Sequence, residues 1–277
     1  MNVNLNQQLR EIVAQFQDFA FLVDFDGTLV DLVPNPRKIT VPDDLISDLN
    51  AISHSKYCAF AIVTGRPLAQ LDNFLGGLSM NAVGSHGAEC RPSYGSTIQL
   101  LTSHIPTEIC EAVHHLSNQH SCYFEDKASS LSLHLPFTHA ADDIMVEILH
   151  AIGKDQHNYL IRKVGRTYEI LQSGITKGSG IVHLMKQPGF SGRRPVYIGD
   201  DVNIDESLHV VTKMNGVLIP TKHIHHQVPH SNAHALETED VRKMVAELSS
   251  VAQHMPAHDM HFSKNLELAG TQLPKNT

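Results

Sequence analysis

Three things are scarce in this chain of 277 residues, and each scarcity removes a class of function. Cysteine occurs only as Cys58, Cys90, Cys110 and Cys122, with no Cys-x-x-Cys pair and no metal-ligand spacing. A chain this long buries a core without covalent staples, so reduced thiols are expected. Basic residues are outnumbered 21 to 29 by acidic ones, which gives a net charge of -8 and a pI near 6.2. Such a field attracts neither nucleic acid nor an anionic membrane surface. Long apolar runs are missing as well, and no segment approaches the roughly 20 apolar residues of a membrane helix. The opening stretch MNVNLNQQLREIVAQFQDFA lacks the basic start and apolar run of a secretion signal. It carries Leu5, Leu9, Ile12, Val13 and Phe16 at helical spacing instead. The expectation is a cytoplasmic protein with one large core and a smaller inserted or appended domain.

What is present is concentrated in one stretch. Residues 21–29 read FLVDFDGTL, in which Phe21, Leu22, Val23 and Phe25 bracket Asp24 as in a buried strand of a parallel sheet. Gly27 marks a sharp turn at the strand's end. Asp24 and Asp26 then lie where open α/β sheets place their ligands, in the crevice beyond the strand tips. A plain Asp-rich turn would have the same composition. A strand-end DxDGT resembles the haloacid dehalogenase (HAD) superfamily of aspartate-dependent phosphotransferases. Cleaving a phosphate ester takes a nucleophile, a proton for the departing alkoxide and a cation to offset the oxygens' charge. The resemblance implies that Asp24 attacks phosphorus and that Asp26 protonates the leaving oxygen and later activates water. It also implies that amides from Phe25 to Thr28 hold the phosphate.

Three further stretches fit the same frame. The apolar run CAFAIV delivers Thr64, Gly65, Arg66 and Pro67 at its end. A Thr-Gly exit is ordinary turn chemistry, and it also resembles the superfamily's second motif, with Thr64 donating to the phosphoryl oxygens and Arg66 facing the substrate. GITKGSG starts a helix with Lys177, and lysine there opposes the helix dipole unless an anion faces it. It resembles the third motif, in which Lys177 holds Asp24 and the phosphoryl oxygens together. A short strand from Pro195 to Ile198 then ends in Gly199, Asp200, Asp201 and, further on, Asp205. Magnesium prefers carboxylate oxygens and keeps several waters, so Asp24, the Asp26 main-chain carbonyl and Asp200 would make one site. Asp205 would hold or orient that shell.

The stretch MNAVGSHGAECR narrows the resemblance, because trehalose-6-phosphate phosphatases carry a similar G-x-H-G-x-E segment at this distance from the second motif, which puts His86 and Glu89 at the substrate. Between the second and third motifs the texture changes. Ile105 to Asn118 looks helical, CYFEDKASSLSLHLPF alternates as two short strands, Ala140 to Ile152 is a second helix, and TYEILQ is a closing strand. This resembles the α/β cap that many HAD phosphatases insert here. Glu125 and Lys127, with His134 downstream, match that family's E-x-K and histidine, and Glu169 matches its V-E-I. Carboxylates and a lysine on a polar strand face suit sugar hydroxyls better than an apolar metabolite. GDDVNIDE has one residue more than the family's GDD-x-T-D-E, which leaves open which outer role falls to Asp201 and which to Asp205.

The expected fold is therefore α/β: an HAD-like Rossmannoid core with a parallel sheet, in residues 1–102 and 173–255, an inserted α+β cap in 103–172, and a flexible tail in 256–277. The expected activity is magnesium-dependent hydrolysis of trehalose 6-phosphate through an aspartyl phosphate. A cap of this kind would also suit another sugar phosphate, such as sucrose or mannosyl phosphate. A non-catalytic HAD-like regulatory domain is the third reading, and a proton-transfer aspartate at position 26 argues against it. The histidines between His223 and His234 lie in a polar stretch and read as a solvated loop.

Overall fold

A computed structural model describes residues 5–33, 36–136, 144–202, 205–222 and 235–254. The histidine-rich stretch, the expected tail and the start of the second cap helix fall outside these residues. After α1 (Leu5–Ala14), which turns Leu9, Ile12 and Val13 inward, the chain enters β1 (Phe19–Asp24), buried along its whole length. α2 (Asp43–Ser53) follows, with Asp43 and Asp44 in its first turn, where the helix dipole favours them. β2 (Ala59–Val63), α3 (Leu68–Phe74), β3 (Ala82–Gly84), β4 (Glu89–Arg91) and β5 (Gln99–Leu100) complete the first part of the core. The chain then builds a second unit from α4 (Thr107–Gln119), β6 (Tyr123–Asp126), β7 (Ser130–His134), α5 (Ile144–Ile152), β8 (Tyr159–Val164) and β9 (Thr167–Gln172). It returns through α6 (Lys177–Leu184), β10 (Arg194–Gly199), α7 (His209–Lys213), β11 (Val217–Pro220) and α8 (Thr238–His254).

The large sheet has the order β11-β10-β1-β2-β3-β4-β5. It is parallel from β11 to β3, and β4 and β5 add an antiparallel edge. Leaving β1, the chain first lays strands on one side, through β2, and later on the other, through β10. Strand order therefore reverses at β1, which makes its carboxyl end the topological switch point. Apolar clusters cover both faces. Phe21, Val23 and Ile62 pack with α1, α2 and α8, while Leu22, Ala61 and Tyr197 pack with α6 and α7.

The second unit is the inserted cap. Its antiparallel sheet, ordered β6-β7-β9-β8, buries one face against α4 and α5 around Val113, Leu131, Leu133, Ile148, Tyr168 and Ile170. The other face carries Glu125, Ser132, His134, Arg162 and Glu169, with Leu160 and Leu171 at one end. The two linkers between core and cap are tied together by Gln172, whose Oε1 accepts from Thr102 Oγ1 at 2.8 Å and whose Nε2 donates to the Ser103 carbonyl at 2.5 Å. On the β6 side, the core's Arg37 lies over the Tyr123 ring, 4.4 Å from its centroid.

β8 is a strand that the sequence pattern did not announce. Its partner is fixed by the two-residue turn at Gly165 and Arg166, where Gly165 has φ +57°, as the hairpin turn requires. All four cysteines are free, and burial pushes the Cys58 thiol up to about 12. Among the described residues, no helix is long and apolar enough to cross a membrane.

Candidate active site

Asp24 is the last residue of β1, 4% exposed, and pairs in register with Val63, the residue before Thr64. On the other side Val23 pairs with Ile198, so Asp24 stands beside Gly199 and Asp200. The chain then folds back tightly. The Gly27 amide donates to the Val30 carbonyl at 2.8 Å, and the amides of Thr28, Leu29 and Val30 turn toward the Phe25 carbonyl at 3.4, 3.0 and 3.1 Å. This corrects part of the expected phosphate cradle, since the Gly27 and Thr28 amides are taken within the loop. Gly27 suits the turn because its φ is +76°, and a Cβ there would also displace the Asp200 carboxylate, whose Oδ2 it would meet at 2.6 Å.

Lys177 explains its own odd place at a helix start. α6 is capped by Thr176 and Ser179 in a reciprocal capping box, which leaves Lys177 in the first turn and buried. Its Nζ donates to Asp24 Oδ1 at 2.8 Å and to Asp201 Oδ2 at 2.6 Å. Tyr197, fully buried on β10, donates its hydroxyl to Asp201 Oδ1 at 2.7 Å, with its oxygen 3.3 Å from Lys177 Nζ. Burial alone would depress the lysine, but the charges of Asp201 and Asp24 outweigh it and hold the ammonium well above its usual range. For Asp24, burial dominates and raises the carboxyl; Lys177 opposes the rise, while Asp201 and Asp200 add to it. Burial would also raise Asp201, and Lys177 with the Tyr197 hydroxyl more than offsets that, so its carboxyl is lowered.

Asp26 is gripped from the second strand tip. Arg66 donates Nε to its Oδ2 at 2.7 Å and Nη2 to its Oδ1 at 2.6 Å, and the guanidinium also lies 4.9 Å from the Phe74 ring centroid. Thr64 is fully buried, and its Oγ1 accepts the Arg66 amide at 3.1 Å. Glu89, expected at the substrate, accepts the Leu68 amide at 2.7 Å and so caps the start of α3.

On the polar face of the cap, Glu125, Ser132, Glu169 and Arg162 form one row across the four strands. Lys127 Nζ lies 3.8 Å and His134 Nε2 3.4 Å from Glu125 Oε2. The Glu125 carboxyl is lowered, chiefly by the His134 hydrogen bond and then by Lys127. His86, on the core, reaches this face: its Nε2 is 3.1 Å from Glu169 Oε1. Burial pulls the His86 imidazole below its usual range, against the opposing pull of Glu169. Burial would raise Glu169, but His86, Arg162 and Lys127 together drive it low. The structure thus gathers Glu125, Lys127, Glu169 and His86 at one polar surface.

The carboxylates of Asp24, Asp200 and Asp201 offer oxygens that all lie within 4.8 Å of one another. Both Asp201 oxygens already accept from Lys177 and Tyr197, while Asp24 and Asp200 offer hard anionic donors that suit a divalent cation, whose charge would offset the carboxylate repulsion that adds to burial in raising Asp24. Asp205 stands outside that cluster. Its Oδ1 accepts the Ser207 amide at 2.9 Å, and its Oδ2 faces Arg162 Nη1 at 3.9 Å. Of the two residues left open by the extra position in GDDVNIDE, it is Asp201 that joins Asp24 and Lys177.

The sequence profile described as trehalose-phosphatase matches residues 22–243. The chain belongs to the trehalose-phosphatase family. It is 27% identical over 217 residues to the trehalose-6-phosphate phosphatase of Escherichia coli K12, covering 78% of this chain and 82% of that one. Its fold is similar to the C-terminal domain of C. albicans trehalose-6-phosphate phosphatase, with a TM-score of 0.65, 18% identity, and 90% and 97% of the two chains covered. It is also similar to the C-terminal domain of a Candida albicans trehalose synthase regulatory protein, at TM-score 0.61 and 11% identity, covering 88% and 97%. These likenesses fix the fold as an HAD-like core with a cap, and the fold is shared by proteins with different names.

For a trehalose-phosphatase family member, the strand-tip aspartates, Thr64 and Lys177 were readable from local motifs. Tyr197 and Arg162 were not. A tyrosine inside PVYIG reads as core, and Arg162 sits on the strand whose only local signal was the Gly165 turn.

Proposed function

We propose that the protein hydrolyses trehalose 6-phosphate to trehalose and phosphate through an aspartyl phosphate on Asp24, with magnesium. The observation that carries this reading is a buried Asp24 tied by Lys177 to Asp201 at the strand-order switch, in a core whose His86 meets a polar cap face bearing Glu125, Lys127 and Glu169. The core chemistry suits the phosphoryl group, and the cap chemistry suits sugar hydroxyls.

Asp24 attacks phosphorus and the bond from phosphorus to the sugar oxygen breaks, while Asp26 gives that oxygen a proton. Water then attacks the phosphoryl group as Asp26 takes its proton, the bond to Asp24 breaks, and phosphate leaves. Both Asp26 oxygens are held by Arg66 here, so proton transfer follows a shift of one oxygen off the guanidinium. Thr64 accepts the Arg66 amide and keeps its hydroxyl proton to donate to a phosphoryl oxygen. Lys177 holds Asp24 and offsets repulsion between two anions. Asp24 and Asp200, with the Asp26 main-chain oxygen, would hold the magnesium ion, and Asp205 would support that shell from outside. When bound, the ion offsets charge on the phosphoryl oxygens. Glu125, Lys127 and Glu169 take the sugar with His86 beside them, while Arg66 acts through Asp26 and Glu89 through the start of α3.

The test is phosphate release from trehalose 6-phosphate, sucrose 6-phosphate, mannosyl phosphates and glucose 6-phosphate, before and after chelation and with magnesium restored. Trehalose 6-phosphate should lead in kcat/KM, and chelation should abolish turnover until magnesium returns. A better rate on another sugar phosphate moves the substrate assignment. Absence of release from every one, with magnesium present, would favour the regulatory reading that the Candida likeness raises.

A further inference from the structure

Arg162 lies where the cap and the core meet, and the catalytic scheme above does not use it. It pairs with Glu169 across β8 and β9, and its Nε and Nη2 both donate to Glu169 Oε2, at 3.1 and 2.7 Å. The same Nη2 stands 3.1 Å from His86 Nδ1. An arginine only donates, so Nδ1 is the acceptor there, and the imidazole proton sits on Nε2, where it donates to Glu169 Oε1. Both oxygens of one cap carboxylate are thereby fixed, one by the cap's own arginine and the other by a core histidine. Arg162 Nη1 then faces Asp205 Oδ2 at 3.9 Å, in the loop that follows Asp200 and Asp201.

The core presents His86 at a conformational cost. His86 has φ +55° and ψ +28°, a left-handed conformation that a non-glycine residue adopts only when its surroundings impose it. The ring also occupies the space of a missing side chain, since a Cβ on Gly65 would meet His86 Cε1 at 2.4 Å. Arg162 does not belong to the apolar cluster under α4 and α5, and its side chain keeps 34% exposure on the edge strand. Its contacts are those of a clasp, with no part in the cap's own core.

We propose that Arg162 is a positioning residue that sets substrate choice: it joins Glu169 on the cap to His86 and Asp205 on the core, so the carboxylate that receives the sugar is fixed at the junction of cap and core. This rests on the sugar role assigned to Glu169 in the preceding section. A lysine cannot replace the fork fully, because one ammonium does not reach two partners in a fixed plane, though it restores a charge beside Glu169.

The experiment measures kcat/KM for the wild type, Arg162→Ala, Arg162→Gln and Arg162→Lys on the sugar phosphate that the wild type prefers and on 4-nitrophenyl phosphate. The two substrates share only the phosphoryl group. Loss of a charged hydrogen-bond set should lower the sugar-to-aryl ratio roughly tenfold or more in the Ala and Gln variants, mainly through KM, with partial recovery in Lys. The Gln variant, which keeps a long polar side chain, carries the test if the Ala variant does not fold. A ratio within about twofold of wild type, or an equal loss on both substrates, would overturn the proposal. If the preferred sugar phosphate is not trehalose 6-phosphate, the substrate assignment fails while the ratio still decides the role of Arg162. If no sugar phosphate is preferred over the aryl ester, both readings fail.

Discussion

Lys177 shows most plainly how single residues in this chain are legible. A lysine in the first turn of a helix is unfavourable by itself, and a buried lysine is more so, yet two carboxylates at 2.8 and 2.6 Å make the position favourable. The sequence exposed that conflict and so pointed to an anion, although it named only Asp24 of the pair. Asp201 stayed hidden because the choice between it and Asp205 depends on how the loop closes, which spacing does not set. Asp24→Asn should abolish turnover, by roughly a thousandfold or more, because the amide keeps the shape and is a poor nucleophile. Asp26→Asn should also fail on sugar esters, yet phosphorylate from an aryl phosphate whose leaving group needs no proton; rapid quench separates the two. A Asp24→Asn variant with near wild-type release would end the covalent account. The His86 and Glu169 pair gives a pH prediction. Both groups titrate below their ordinary values when folded, His86 chiefly through burial and Glu169 despite it, so the unfolded chain binds more protons in that window. Stability from the pair is therefore present above about pH 6.5, the unfolded histidine value, and falls as pH drops below it. His86→Gln should give a shallower decline of Tm between pH 7 and pH 5 than the wild type, and a steeper decline would contradict the assignment.

Elements with strong periodicity were readable in advance, and those shaped by their neighbours were not. β1 and β2 announce themselves as apolar runs, and α1 by the helical spacing of Leu9, Ile12 and Val13, which it turns inward. β8 does not, because it is an edge strand with Arg162 and Lys163 in its second half and only one strand beside it. Its existence follows from pairing with β9, a tertiary fact. The junction of α6 with the 85–87 turn is another such fact. Gly87 has φ +104°, and a Cβ there would meet the Thr176 carbonyl oxygen at 1.9 Å, which is main chain and cannot swing aside. Gly87→Ala should therefore push α6 away. We expect a loss of about 1 to 3 kcal/mol in urea denaturation and reduced turnover on every substrate, because Lys177 rides on α6. Unchanged stability would mean that the helix has slack at its first turn.

Across the whole molecule the proposed function divides the labour between a core that would handle the phosphoryl group and a cap that would handle the rest of the substrate. The switch at β1 puts Asp24 between two parallel neighbours, and the inserted cap presents a polar sheet face whose row from Glu125 to Arg162 meets the core at His86. Glu125→Ala and Lys127→Ala should each reduce kcat/KM for trehalose 6-phosphate roughly ten- to a hundredfold while sparing a small aryl phosphate. Lys177→Ala should depress both substrates together. Equal losses from the cap variants would point to failed closure in place of lost sugar contacts. The claim beneath all of this is that phosphate passes from trehalose 6-phosphate onto Asp24. The most direct test quenches the enzyme during turnover of trehalose 6-phosphate, reduces any acyl phosphate with borohydride, and reads the peptide containing residues 21–29 by mass spectrometry. The account predicts homoserine at position 24 and nowhere else; continued phosphate release with no modification at Asp24, or modification at another carboxylate, would contradict it.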